Sequence, residues 1–171
     1  PVTKWNVQIT EASSIASQVA KAFYIARSGR PGPVLIYITK NAQFEMMDEF
    51  EYKKCESVRT YSPKPTLNHA EVEAAADLIN SAKKPYILVG QGVQLSGAEK
   101  EFLAFVEKSG IPVASTLLGL STLPTNHPLY VGYLGMHGNY GPNVQTNSCD
   151  VLIAIGMRFD YRVTGNVSKY A

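Results

Sequence analysis

The sequence predicts an α/β protein with a parallel, doubly wound sheet, and three observations carry that reading. Short apolar runs rich in β-branched residues, Tyr86 to Val89, Ile111 to Ser115 and Val151 to Ile155, have the texture of buried strands. Segments of helical period separate them, and strand alternating with helix is the pattern of a parallel sheet covered on both faces. Glycines stand directly behind two of the runs, as Gly90-Gln91-Gly92 and as Gly156. Right-handed crossovers then bring residues 90–93, 116–118 and 156–160 to one edge of the sheet. Ligands of open α/β sheets sit just beyond the carboxyl ends of the strands, so this edge is where a site is expected.

Upstream of that sheet, Ile15, Val19, Phe23 and Ala26 recur at helical spacing and Gly29 follows as a stop, which predicts a helix from Ala12 to Ser28. Pro31 and Pro33 bracket Gly32, and Val34 to Thr39 reads as a buried strand. One strand cannot bury both its faces, so its partners are expected before Pro1. From Asn41 to Leu67 the texture changes to charges, scattered aromatics and Ser62-Pro63-Lys64-Pro65, which reads as an interdomain linker. Asn68 and Glu71 then form a capping box for a helix with Val72, Ala75, Ala76 and Ile79 on one face. A further helix, opened by Ser96 and Glu99, lies between the first two strands of the sheet.

Composition removes several function classes. Among 171 residues the formal net charge is +2, with Lys and Arg spread along the chain, so nucleic acid is not an expected partner. No apolar run approaches the roughly 18 to 20 residues that cross a bilayer, and the N-terminus lacks the regions of a signal peptide. A soluble, membrane-free protein is expected. Cys55 and Cys149 are too few for a disulfide framework or a zinc site, and two thiols suit a reducing interior. The chain opens at Pro1 without Met and stops at Ala171 shortly after a site-like segment, so it is expected to be a piece of something longer.

That segment sets Arg158, Asp160 and Arg162 at alternating positions behind Gly156. On an arbitrary loop these would be a solvated pair bridged by a carboxylate. Behind a strand and a glycine they suit a phosphate-bearing ligand, because guanidinium presents a fork of donors to phosphate oxygens. Gly90 and Gly92 could approach the same phosphates or could serve a tight turn needing positive φ. The third glycine of the dinucleotide fingerprint is missing and Ser115-Thr116-Leu117 offers no acid for a ribose, which disfavours a standard NAD site. His137 is read as structural rather than as acid, base or metal ligand, since neither His127 nor any paired carboxylate stands at ligand spacing. Arg30 is either a cation at a helix C-terminus or an arm toward a ligand.

Together, SGRPGPVLI at 28–36, GIPVASTLLGLS at 110–121, LGMHG at 134–138 and GMRFDYRVTG at 156–165 resemble the large, catalytic subunits of acetolactate synthase, also called acetohydroxyacid synthase. The resemblance runs from Pro1 to Ala171. It implies a fragment of a three-domain thiamine diphosphate enzyme. Residues 1–45 would be the end of the pyrimidine-binding domain, 46–65 the linker and 66–171 a C-terminally truncated, Rossmann-like central domain that binds FAD without net redox work. By position, Arg30, Gly90, Gly92, Thr116, Leu117, Leu134, Gly135, Met136, His137, Gly156, Arg158, Asp160, Arg162 and Val163 are similar to the family's FAD contacts. Tyr161 departs from the family's usual second aspartate, and Tyr37 with Thr39 departs from its usual LIDIP.

The implied reaction of the parent condenses two pyruvates, or pyruvate and 2-oxobutyrate, with loss of CO2, the first step of branched-chain amino acid synthesis. Its thiamine diphosphate and Mg2+ ligands would lie outside this chain, which leaves no catalytic or metal residue here and makes the fragment inactive alone. The implied partners are 2-oxo acid substrates, further catalytic subunits in a homodimer or tetramer and a regulatory small subunit, in a bacterial cytoplasm or an organelle. The competing readings are another thiamine diphosphate enzyme, such as pyruvate oxidase or a carboligase, and a nucleotide-binding module without catalysis.

Overall fold

The computed structural model describes residues 2–171, which form two compact units divided after Leu67. In the first unit, β1 (Trp5–Ile9) and β2 (Val34–Ile38) pair in parallel, Trp5 opposite Val34 and Ile9 opposite Ile38. One partner of β2, which was expected only upstream of Pro1, thus lies within the chain. Trp5, Val7 and Ile9 alternate with Asn6 and Gln8, the period of a half-buried strand. Between the strands, α1 (Ile15–Arg27) follows a single 3-10 turn at Ala12–Ser14 and packs on both. Its buried residues are Ala20, Ala22 and Ile25, whereas Phe23 from the expected stripe is 63% exposed. Small side chains let the helix lie close on a narrow sheet.

Past β2, α2 (Lys40–Phe44) is one short turn, and the stretch to Leu67 holds only an isolated bridge between Val58 and Tyr61. Helix α1 ends where Gly29 takes φ +57°, as its sequence position suggested. The amine of Lys4 donates to the carbonyls of Ile25 at 2.6 Å and Ser28 at 2.7 Å, and Tyr61 Oη donates to Ser28 O at 2.9 Å. Last-turn carbonyls that the helix cannot satisfy are met by these two side chains.

The second unit is a four-stranded parallel sheet in the order β5-β4-β3-β6, formed by β3 (Pro85–Val89), β4 (Val113–Ser115), β5 (Tyr130–Tyr133) and β6 (Val151–Ile155). Central β3 sends Ile87 and Val89 to one face, among Val93, Phe102, Val106, Ile111, Val113 and Leu123. It sends Tyr86 and Leu88 to the other, with Ala114 and Leu134. Helix α5 (Glu99–Ser109) supplies Phe102 and Val106 to the first cluster, and Cys149, just past α6 (Tyr140–Ser148), packs against the second. Both faces are covered, so the doubly wound architecture read from the sequence is what the chain adopts.

Several details differ from the sequence reading. Strand β5 and helix α6 were not expected. Strand β6 sits at the sheet edge and is half-buried, not fully buried. Ser96 does not open a helix: it ends α4 (Gly92–Ser96), its hydroxyl donating to Val93 O at 2.9 Å, and Gly97 at φ +68° separates α4 from α5. Helix α3 (His69–Ser81) begins at Asn68, whose side chain accepts from Ala70 N. Of its expected apolar stripe only Ile79 reaches the core, while Val72 stays exposed.

The entrances to β3 and β6 are tied by Asp150, which accepts from Lys83 N at 2.7 Å and Lys84 N at 2.8 Å. The Lys83 amide foremost, with that of Lys84, holds the Asp150 carboxyl below the ordinary aspartate range. A carboxyl whose folded pKa is depressed contributes stability above its unfolded pKa of about 3.9 and loses that contribution as pH falls through the folded value. Asp150→Asn is therefore expected to melt below wild type at neutral pH, with the difference closing in acid below that range. Thermal melts across pH would show it. A difference that stayed constant with pH would remove the carboxylate's charge from the account.

Candidate functional site

The carboxyl edge of this sheet is a set of loops joined backbone to backbone. Behind β3, Gly90 N donates to Ile155 O at 2.9 Å and Gly92 N to Gly156 O at 2.7 Å. A Cβ on Gly92 would stand 2.7 Å from the Gly156 backbone, and one on Gly90 2.5 Å from Met157 Cβ. Neither Gly90 nor Gly92 has positive φ. Glycine is required at these two positions by close approach of two chains, not by the turn conformation expected from the sequence. Gly156 does need it, at φ +62°.

The remaining strand ends join the same frame. Thr116 closes the turn after β4, its Oγ1 accepting from Gly119 N at 3.2 Å, and Gly119 lies against the backbone of Val89 and Gly90. This leaves Leu117 and Leu118 exposed at 65% and 62%. Behind β5, Leu134 is buried with its N–H on Ser115 O, and Gly135, at φ +110°, passes beside Arg162 O. Met136 N donates to Arg162 O at 2.7 Å. Asn143 of α6 holds Gly135 from both sides, accepting from its N–H at 3.0 Å and donating to its carbonyl at 3.2 Å. His137 is exposed, and its carbonyl accepts from Tyr133 Oη. Nothing here gives its ring an acid or base role.

Asp160 organises the charged loop. Its Oδ2 pairs with Arg158 Nη2 at 2.8 Å, while its Oδ1 accepts from Arg162 N at 2.9 Å and so caps α7 (Tyr161–Thr164). Only one guanidinium is bridged by the carboxylate. Arg162 Nε instead donates to Tyr161 Oη at 3.2 Å, and that hydroxyl, followed by the Asp160 charge, raises the Arg162 pKa further. The guanidinium of Arg162 has no carboxylate partner among the described residues. Val163 packs inward beneath the loop against the Tyr86–Leu88 cluster.

Thirteen of the fourteen expected ligand residues, all but Arg30, thus lie on loops of one sheet edge. Arg30 belongs to the first unit, exposed in the turn between α1 and β2, and is not part of the frame that residues 68–171 build from their own chain. Sequence reasoning missed Asn143, the residue that fixes Gly135, and the apolar flank of Leu118 and Phe159. Phe159 could have been found inside the arginine loop itself. Asn143 carries no local signal, because its partner is eight residues away across an irregular turn. Among the described residues no three His, Cys, Asp or Glu side chains cluster as a metal site would require, and no helix is long and apolar enough to cross a membrane.

Comparison with known proteins agrees with this architecture. Over its whole length the chain is 43% identical to the acetolactate synthase large subunit of Corynebacterium glutamicum, of which it covers 27%. It is 41% identical, again over its whole length, to that of Lactococcus lactis subsp. lactis, of which it covers 30%. The chain therefore spans less than a third of the length of these curated relatives. In three dimensions it resembles a protein from Mycobacterium smegmatis described as a thiamin diphosphate-dependent enzyme, with a TM-score of 0.69 and 25% identity, over 90% of this chain and 29% of the other. Residues 72–171 match the family model of the thiamine pyrophosphate enzyme central domain, and the chain belongs to that family.

Proposed function

We propose that this chain is part of an acetolactate synthase catalytic subunit and that residues 66–171 are its FAD-holding central domain, with 1–45 closing the pyrimidine-binding domain and 46–65 linking the two. The observation that carries the flavin reading is the charged loop at the sheet's carboxyl edge. Arg158 is oriented by Asp160, and Arg162 is left without a carboxylate, on loops held together by their backbones. A dinucleotide's diphosphate would neutralise the two guanidinium groups, in the place where α/β sheets accept ligands. The exposed side chains of Leu117, Met136 and Phe159 would lie along its apolar rings. Gly90, Gly92, Thr116, Gly135, Gly156 and Val163 would shape the floor, and Leu134 and His137 the wall.

In the whole enzyme, thiamine diphosphate supplies the electron sink for decarboxylation of a 2-oxo acid, and the protein positions it. The reading extends to pyruvate as donor, to pyruvate or 2-oxobutyrate as acceptor, and to an assembly of catalytic subunits with a regulatory partner. The 171-residue chain alone is expected not to turn pyruvate over.

Flavin fluorescence titrations of wild type, Arg158→Ala and Arg162→Ala test the site. A hydrogen-bonded charge contributes roughly 1.5–3 kcal/mol, so each substitution is expected to weaken binding about 10- to 100-fold. Arg162→Ala should cost more, because Arg158 shares its charge with Asp160. Saturable binding that both substitutions left unchanged would place the flavin elsewhere.

A further inference from the structure

The first unit holds a second cationic concavity, in which the flavin reading plays no part. It is a cavity of about 370 Å³ lined by Ser17, Gln18 and Lys21 of α1 and by residues of the stretch that follows α2. Ser17 and Lys21 are four apart and share a helix face. Lys53, Cys55, Ser57 and Val58 of an irregular stretch, with Arg59 in the turn that follows, line the cavity. Two elements distant in sequence thus direct three cations at one space, and no carboxylate lines it.

Two of those cations, Lys21 and Arg59, are not paired with a carboxylate among the described residues. Lys21 lies over the Trp5 ring, its amine 4.9 Å from the centroid. Lys53 pairs with Glu51 at 3.0 Å, but both side chains are largely exposed and such a pair is weak. Polar groups complete the lining. Ser17, Gln18 and Ser57 are the uncharged polar residues of the lining.

We propose that this cavity binds a phosphoryl group, carried by a small phosphate monoester or by free phosphate. Two cations without a carboxylate partner among the described residues, Lys21 and Arg59, with Lys53 shared with Glu51 beside them, suit a dianion better than a single carboxylate, and the Arg59 fork matches two of its oxygens. The depression is open to solvent, so a phosphoryl group can enter it without a rearrangement, and Val58 is an apolar part of its lining. Occupancy would hold residues 53–59 against α1 through charge.

Cys55 provides a local reporter, since it lines the cavity and Cys149 belongs to the other unit. The full chain is alkylated with neutral iodoacetamide at constant ionic strength, with inorganic phosphate or glycerol 3-phosphate added, and the two cysteines are followed separately by peptide mass spectrometry. Saturable slowing at Cys55 and none at Cys149 is expected. Arg59→Gln and Lys21→Gln should raise the half-protecting concentration about tenfold or more, and Arg59→Lys should keep part of the effect. Protection by the ester alone assigns the site to a monoester, and equal protection by both assigns it to the phosphoryl group itself. Labelling of Cys55 indifferent to both compounds, protection identical in the Gln variants, or equal slowing at Cys149 would overturn the proposal.

Discussion

Gly156→Ala is expected to destabilise the second unit by roughly 2–5 kcal/mol and to abolish the proposed flavin binding. Two costs combine. An L-residue at φ +62° occupies the left-handed region, about 1–2 kcal/mol above its ordinary conformation. The new methyl group would also stand 2.6 Å from Val93 N and 2.9 to 3.0 Å from the Gly92 backbone. These are main-chain atoms at the start of α4, so the conflict can be relieved only by separating the loops behind β3 and β6. That separation breaks the Gly92 N to Gly156 O hydrogen bond, at 2.7 Å, and displaces Arg158 and Asp160 two and four residues on. Urea unfolding and flavin titration of the same preparation check both halves. A variant of wild-type stability would mean that the loops tolerate separation, and the frame described for the site would be wrong.

Ile87→Ala should cost a comparable amount by a different route. Ile87 is fully buried at the centre of the sheet, with β4 on one side, β6 on the other and α5 over its face. Removing its branched side chain leaves a space that the parallel strands cannot collapse into, because their spacing is set by hydrogen bonds. Such truncations cost about 2–5 kcal/mol, and for a unit of this size that lowers Tm by roughly 10 to 30 °C. Ile87→Val, which deletes one methylene, should cost about 0.5–1.5 kcal/mol. Thermal unfolding of both variants tests this. If Ile87→Ala lost no more than Ile87→Val, the cluster would be plastic rather than packed.

What could be read from residue order follows from which elements carry their own signal. β2, β3 and β6 are uninterrupted apolar runs and stand out. β5 is four residues with Gly132 inside, and α6 opens with Tyr140-Gly141-Pro142-Asn143, a composition that reads as loop. Packing against the sheet overrides that propensity, as tertiary context often does. The Arg158–Asp160 pair was legible because both groups lie on one short loop. The Met136 to Arg162 contact was not, since it joins loops that only the sheet brings together. Gly90 and Gly92 were noticed for the right reason, proximity to a strand end. The positive-φ turn that was one of their two readings is not what they form, because residue order does not display which backbone will lie against them.

The backbone contacts among these loops also bear on how such a protein can change over time. Gly90 meets Ile155 and Gly92 meets Gly156 through main-chain atoms, and Met136 meets Arg162 the same way, so these joints do not depend on the exposed side chains of the loops. Tyr161 illustrates the freedom this gives. It stands in the loop at 64% exposure, and Asp160 still caps α7 beside it. Substitutions of exposed side chains on the rim are therefore compatible with an unchanged outline, whereas a side chain at Gly90, Gly92 or Gly156 is not.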